Sequence, residues 1–246
     1  MKKHVLAAIL GASVLFSAQA GTLHVGTEAT FAPFEFMDEQ TKELTGFDME
    51  LIAAMAKAVG DDIKVQNMGF DGLIPSLQTG IIDVTAAAMT ITPERVKRID
   101  FTEPYYQSGL VILVKKDNLD KVKDLDSLQG KTICAQIGTT GAMMAKHVKD
   151  AKVTEYNSIT EAFLELKQGG CLAVINDKPV VDYYLARRGD KTVTTLPQVF
   201  DAEYYGFGVK KGNKEMVAKL NEGLKKVRES GEYDQIYQKW FGTKAQ

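Results

Sequence analysis

The stretch Ala88-Met-Thr-Ile-Thr-Pro-Glu-Arg-Val-Lys-Arg-Ile-Asp-Phe-Thr-Glu-Pro-Tyr-Tyr106 decides how this chain is to be understood. It follows Ile81-Ile-Asp-Val-Thr-Ala-Ala-Ala88, a run with the near-continuous apolar character of a buried strand. Thr92 then suits a helix N-cap and Pro93 the first helical position. Arg95 falls in the first turn of that helix, where the macrodipole disfavours a cation. A charge so placed often has a compensating anion nearby. A guanidinium fork beside free helix N–H groups and the Thr90 hydroxyl is suited to gripping a carboxylate at two points. Spacing alone allows that anion to be an Asp or Glu of the protein itself.

Outward from this stretch, strand and helix patterns alternate. Residues 23–27 pattern as a strand, 48–59 as an amphipathic helix with Met49, Ile52, Ala53, Met55 and Ala56 inward, and 64–67 as a strand. A helix over 73–79 and a buried strand over 82–87 follow. A strand over 110–114 leads to a charged turn region, 115–123. A second alternating run comes next: strand 132–137, a helix from Ala142, strand 153–156, helix 160–168, strand 172–175 and helix 179–187. Tyr205-Gly-Phe-Gly-Val209 patterns as one strand before a helix over 215–229, with Val217, Leu220, Leu224 and Val227 on its apolar face. Trp240 and Phe241 suit packing of this tail onto the first unit, stacking on a ligand being the alternative. Such alternation implies an α/β fold with mostly parallel sheets covered by helices on both faces.

Residues 1–20 have the form of a cleavable export signal: Lys2 and Lys3, an apolar run from Val5 to Phe16, then Ala18-Gln19-Ala20. The apolar run is too short for a membrane anchor, which needs about 20 residues. Its loss leaves a mildly acidic chain, which argues against nucleic-acid binding. The length suits two lobes of roughly 100 residues each. Cys134 and Cys171 both lie at the starts of strand-like runs, so they are either a disulfide or two buried free thiols. Two cysteines with distant His24 and His147 do not make a metal site, and neither histidine stands near a hydrolase nucleophile.

The chain resembles the periplasmic polar amino-acid-binding proteins of ABC importers, solute-binding protein family 3, and its site pattern is most similar to the arginine-binding members. The resemblance is carried, beyond residues 88–106, by Leu23-His-Val-Gly-Thr-Glu-Ala-Thr-Phe-Ala-Pro-Phe-Glu-Phe36, Gly46-Phe-Asp-Met-Glu50 and Phe70-Asp-Gly-Leu-Ile-Pro-Ser-Leu77. It continues in Gly138-Thr-Thr140, Asn176-Asp177 and Gly231-Glu-Tyr-Asp-Gln-Ile-Tyr-Gln-Lys-Trp-Phe-Gly242. It implies a two-lobed type II periplasmic-binding-protein fold with two hinge strands and a ligand cleft. Lobe 1 would comprise residues 21–106 plus 205–246, and lobe 2 residues 107–204. It further implies a soluble periplasmic monomer that captures an amino acid and presents it to an inner-membrane permease, without cofactor or catalysis.

Carried onto this sequence, the resemblance makes Arg95 the carboxylate clamp, supported by Thr90, the backbone near Ala88, Thr139 and Thr140. From local sequence alone, Gly138–Gly141 is an ordinary strand-to-helix turn. Asp177 becomes the ammonium anchor, although its position equally suits a helix N-cap. Phe31 and Phe70 become aromatic walls, Phe70 being expected in a loop. Specificity then rests on Glu28 and Gln136. Glutamine-binding members carry Asp and Lys at these places. Here a carboxylate faces a neutral amide, so a cationic ligand is needed to pair the desolvated acid. Arginine is the expected ligand, ahead of lysine or ornithine, which lack the planar fork, and of glutamine. The rivals are an exported cyclohexadienyl dehydratase, with Glu28 as general acid, and a receptor that signals to a sensor.

Overall fold

The computed structural model describes residues 21–243. The expected signal segment, 1–20, lies outside the described residues. The first half begins with β1 (Thr22–Thr27) and three short strands, β2 (Thr30–Phe31), β3 (Glu35–Met37) and β4 (Leu44–Thr45). Helix α1 (Phe47–Ala58), β5 (Asp62–Asn67), α2 (Phe70–Thr79), β6 (Val84–Thr85), α3 (Pro93–Val96) and β7 (Ile99–Phe101) follow. The long β8 (Tyr106–Lys115) then leads into β9 (Thr132–Gln136), α4 (Thr140–His147), β10 (Lys152–Tyr156) and α5 (Ile159–Gln168). Next come β11 (Ala173–Asp177), α6 (Lys178–Arg188), β12 (Val193–Thr195) and β13 (Phe200–Tyr205). The chain closes with β14 (Gly208–Lys210), α7 (Lys214–Glu229) and α8 (Glu232–Phe241).

Two large sheets organise these elements. One has the order β5-β1-β6-β14-β7; the other runs β10-β9-β11-β8-β12, with β13 also paired to β8. The small antiparallel sheet β2-β3-β4 sits beside the first. The chain leaves the first sheet after β7, builds the second, and returns through β13 to β14. The crossing strands β8 and β13 are antiparallel partners, with a register shift between Phe200 and Glu203. A ladder of this kind bends at an irregularity, which suits a hinge.

Sequence and structure differ at particular places, each for a local reason. The single strand expected over 205–209 is two: β13 ends at Tyr205, Gly206 donates to the Met89 carbonyl, and Gly208 begins β14 in the first sheet. The buried strand expected over 82–87 pairs as a strand only at Val84–Thr85, although residues 84–90 are all buried. In α1 the inward face includes Leu51 and Ala54, while Ala53 is only half-buried. Phe70 is not in a loop. Gly69 is the N-cap position and Phe70 opens α2, ahead of the expected start.

The core closes through tight approaches. Helix α7 crosses α1 at Gly223, where an added Cβ would stand 2.7 Å from the Met55 carbonyl oxygen. Leu220, Leu224 and Val227 of α7 are buried, while Val217 lies at the margin. Trp240 sets its edge against Phe36, ring centroids 5.7 Å apart, and Phe241 lies 4.9 Å from Tyr106. This is the expected packing of the tail. In the second sheet Cys134 and Cys171 form a disulfide, with Cα atoms 5.9 Å apart and 37 residues separating them. It ties β9 to the entry of its parallel neighbour β11.

Closing a loop of that length restricts the unfolded chain enough to stabilise the fold by about 2–4 kcal/mol. The double variant Cys134→Ala/Cys171→Ala is expected to lose that amount in urea denaturation. An unchanged midpoint, matched by wild-type protein under reductant, would show that the bridge contributes nothing.

Candidate functional site: a closed cleft between the lobes

All ten residues singled out in the sequence line one cavity. Glu28, Phe31, Phe70, Ala88, Thr90 and Arg95 come from the first half; Gln136, Thr139, Thr140 and Asp177 come from the second. Ala87 and Glu35 join them, and the free space left between the closed lobes is about 10 Å³, on the order of one water molecule. The cleft is shut. Gln136 donates to Glu28 Oε2 at 2.9 Å, and the Arg95 Nη2 donates to the Gly138 carbonyl at 3.0 Å. Both bonds cross between the lobes.

Arg95 is held from its own side as the sequence suggests. Thr92 caps α3 by accepting from the Arg95 amide at 3.2 Å, with Pro93 at the start of the helix. The guanidinium donates through Nη1 to the Thr90 carbonyl at 2.7 Å and lies over the Phe70 ring, 5.3 Å from its centroid. It makes no ion pair among the described residues, so the protein supplies no carboxylate to satisfy it directly. Burial lowers its pKa to about 10, opposed by the neighbouring Glu203 and Asp177. Arg95 is buried, and a guanidinium whose bonds among the described residues go to two carbonyls retains donors for an incoming anion.

Thr139 caps α4: its hydroxyl accepts from the Ala142 amide at 3.2 Å and donates to the Gln136 carbonyl at 2.7 Å. Helix α4 can sit this close to β11 because residue 141 is glycine; a Cβ there would stand 2.3 Å from the Ile175 carbonyl oxygen. Asp177 occupies the N-cap position of α6 but makes no capping bond. Its Oδ1 instead accepts from the hydroxyl of Tyr205, at 2.5 Å, at the end of hinge strand β13. Burial pushes the Asp177 carboxyl well above the usual range, and Glu203 adds to the effect.

The Thr30 hydroxyl lies 2.9 Å from both Glu28 oxygens and shares its one proton between them, and Gln136 donates to Oε2. Burial raises its pKa against the pull of those donors. Three further acids were not singled out in the sequence. Glu35 lies at the cavity wall, and Glu203 accepts from the Thr90 hydroxyl at 3.2 Å. Asp48, at the start of α1, lies beneath the site. Its Oδ2 accepts from the Ala88 amide at 2.8 Å and from the Tyr105 hydroxyl at 2.5 Å. Ala88 has φ 43°, a left-handed conformation costly for a residue with a Cβ, and the Asp48 bond helps fix it.

The pattern shared by the bacterial extracellular solute-binding proteins, family 3, matches residues 23–243. The chain belongs to that family. Among relatives of this solute-binding protein is the ABC transporter arginine-binding protein 1 of Escherichia coli strain K12, 36% identical over 98% of this chain and 99% of the relative. An ancestral arginine-binding protein solved with arginine superposes with a TM-score of 0.86 at 45% identity, covering 90% of this chain and 99% of that one. An ancestral arginine-binding protein bound to glutamine gives 0.84 at 44% identity, covering 91% and 99%. Other matches are named for histidine or cystine binding, and one is a precursor of cyclohexadienyl dehydratase. The solved neighbours share the two-lobed type II periplasmic-binding architecture.

Burial raises the Asp48 pKa to about 7, whereas an unfolded Asp titrates near 4. Over that interval the folded solute-binding protein binds the extra proton, so this group weakens folding as pH rises from about 4 to about 7. Asp48→Asn is expected to flatten that limb of the stability profile, measured by chemical denaturation at several pH values. Parallel profiles for the two proteins would refute it.

Proposed function

We propose that this solute-binding protein captures L-arginine in the periplasm and delivers it to an inner-membrane ABC permease. Export would use residues 1–20, and the lobes would divide at residues 21–106 plus 205–246 and 107–204. The observation that carries the ligand assignment is a charge count. Three carboxylates, Glu28, Glu35 and Asp177, line the closed cavity against one guanidinium, Arg95. A zwitterionic amino acid does not alter that balance, whereas a basic one adds a cation where water is excluded.

In this reading Arg95 takes the ligand carboxylate, with Thr90, the Ala88 backbone, Thr139 and Thr140 at the start of α4 in support. Asp177 takes the α-ammonium. Glu28 pairs with the guanidinium while Gln136 orients Glu28, and Phe31 and Phe70 form the walls. Lobe closure excludes water and strengthens each charged contact. The ligand drives closure only through its higher affinity for the closed form. Lysine and ornithine offer a compact ammonium in place of the fork and bind less tightly. The glutamine complex of an ancestral relative supports a second reading, glutamine, for which the Glu28–Gln136 pair would serve as a neutral-ligand contact. An enzymatic role as a dehydratase predicts turnover of arogenate or prephenate. The transport reading predicts none.

Isothermal titration of the exported chain, unfolded and refolded to remove carried-over ligand, tests the assignment. Arginine is expected to bind with a Kd between micromolar and nanomolar, about −8 to −12 kcal/mol. Glu28→Gln should weaken arginine about a hundredfold, near the upper end for a charge-assisted contact, and change glutamine little. Tight glutamine binding with arginine silent would overturn the assignment.

A further inference from the structure

Strands β2 and β3 are joined by a tight turn in which the Phe34 amide donates to the Phe31 carbonyl at 2.9 Å. Their register sets Phe31 directly opposite Glu35. Opposed residues of an antiparallel pair share a face, so the Glu35 side chain stands beside the Phe31 ring, and both line the cavity. Glu35 is 1 % exposed, and its Oε2 has no hydrogen-bond partner among the described residues. Burying an unpaired carboxylate oxygen is costly.

The surroundings increase that cost. Asp48 on α1, Glu28 ahead of β2 and Asp177 at the end of β11 all repel a charge on Glu35. Tyr105 donates to Asp48, and Arg95, the one cation in the lining, donates to two carbonyls. Nothing among the described residues donates to Glu35 Oε2. Glu28, meanwhile, has both oxygens engaged by Thr30 and Gln136. A guanidinium presents five N–H donors in one plane, more than the remaining lone pairs of Glu28 accept.

We propose that Glu35 is a second carboxylate for the cationic end of the ligand, and that it sets the preference for a guanidinium over a neutral side chain of the same shape. The proposal rests on the cationic-ligand reading above. With the guanidinium against both acids, the orphan oxygen gains a donor and repulsion between Glu28 and Glu35 gives way to shared attraction. Phe31 covers one face of the plane. Burial holds the Glu35 carboxyl well above its usual range. A guanidinium beside it would favour the ionised form, and a neutral side chain would not.

The test compares arginine with citrulline, whose urea group has nearly the same shape and no charge. Both are titrated into ligand-stripped wild type and Glu35→Gln. The isosteric change removes the acid without creating space, and the ratio of the two affinities does not depend on the fraction of protein that is active. The arginine-to-citrulline ratio is expected to fall about tenfold or more in Glu35→Gln. A ratio within about threefold of wild type would overturn the role of Glu35 while leaving arginine capture intact. Wild type that binds no basic amino acid would overturn both. If Glu35→Gln does not fold, Glu35→Asp carries the comparison: shortened by one methylene, it should also lower the ratio, and an unchanged ratio refutes the proposal.

Discussion

Closing water out of a space walled by acids is the constraint on which this site depends. Glu28, Glu35 and Asp177 meet in a cleft whose single cation, Arg95, is already bound to carbonyls. In the low dielectric of a closed cavity, both desolvation and mutual repulsion rise sharply. Glu28, Glu35, Asp177 and Asp48 accordingly all hold protons more tightly than free carboxyls do. Bringing these acids together in the closed cleft therefore carries an electrostatic cost. The open and closed forms thus differ in free energy by an amount that depends on what the cleft contains.

The parts that resist this strain are rigid. Asp48 fixes the Ala88 backbone on one side and the Tyr105 hydroxyl on the other, and Tyr233 on α8 donates to the Tyr105 carbonyl at 2.6 Å. Around the start of the hinge, Phe34, Phe47, Tyr106, Tyr205 and Phe241 pack ring against ring. Close-packed rings of this kind yield little. Tyr205 also grips Asp177, so the hinge strand β13 is bonded directly to a cleft residue.

Much of this was legible in the residues. Thr92-Pro93 announces a helix start by capping chemistry alone, and Arg95 stands against its local dipole, which marks it as a group awaiting an anion. Glu28 and Gln136 became meaningful only as a pair distant in sequence, and it was the family resemblance that joined them. Glu35 was hidden because it follows Phe34 in a short apolar run, where a charged residue suggests a solvent-facing position. The turn that sets it opposite Phe31 brings it inside, and a three-residue connection between two extended residues was the available signal. Asp48 was concealed for another reason: an acid in the first turn of a helix already has a sufficient local role there. Glu203 lies at a register shift, which no periodicity foretells.

The order of the chain has a consequence for how the protein is made. The second sheet draws its strands from one continuous span, Tyr106 to Tyr205, whereas the first needs β14 between β6 and β7 and α7 against α1. During synthesis from the N-terminus, the second lobe can finish folding while the first still lacks a central strand. Until the last residues emerge, β6 and β7 offer unpaired edges, the kind of surface on which strands from other chains add. The final segment thus acts as a closing stitch. A chain halted shortly before it would carry one finished lobe and one exposed sheet, a pattern that quality-control proteases and chaperones are well placed to recognise.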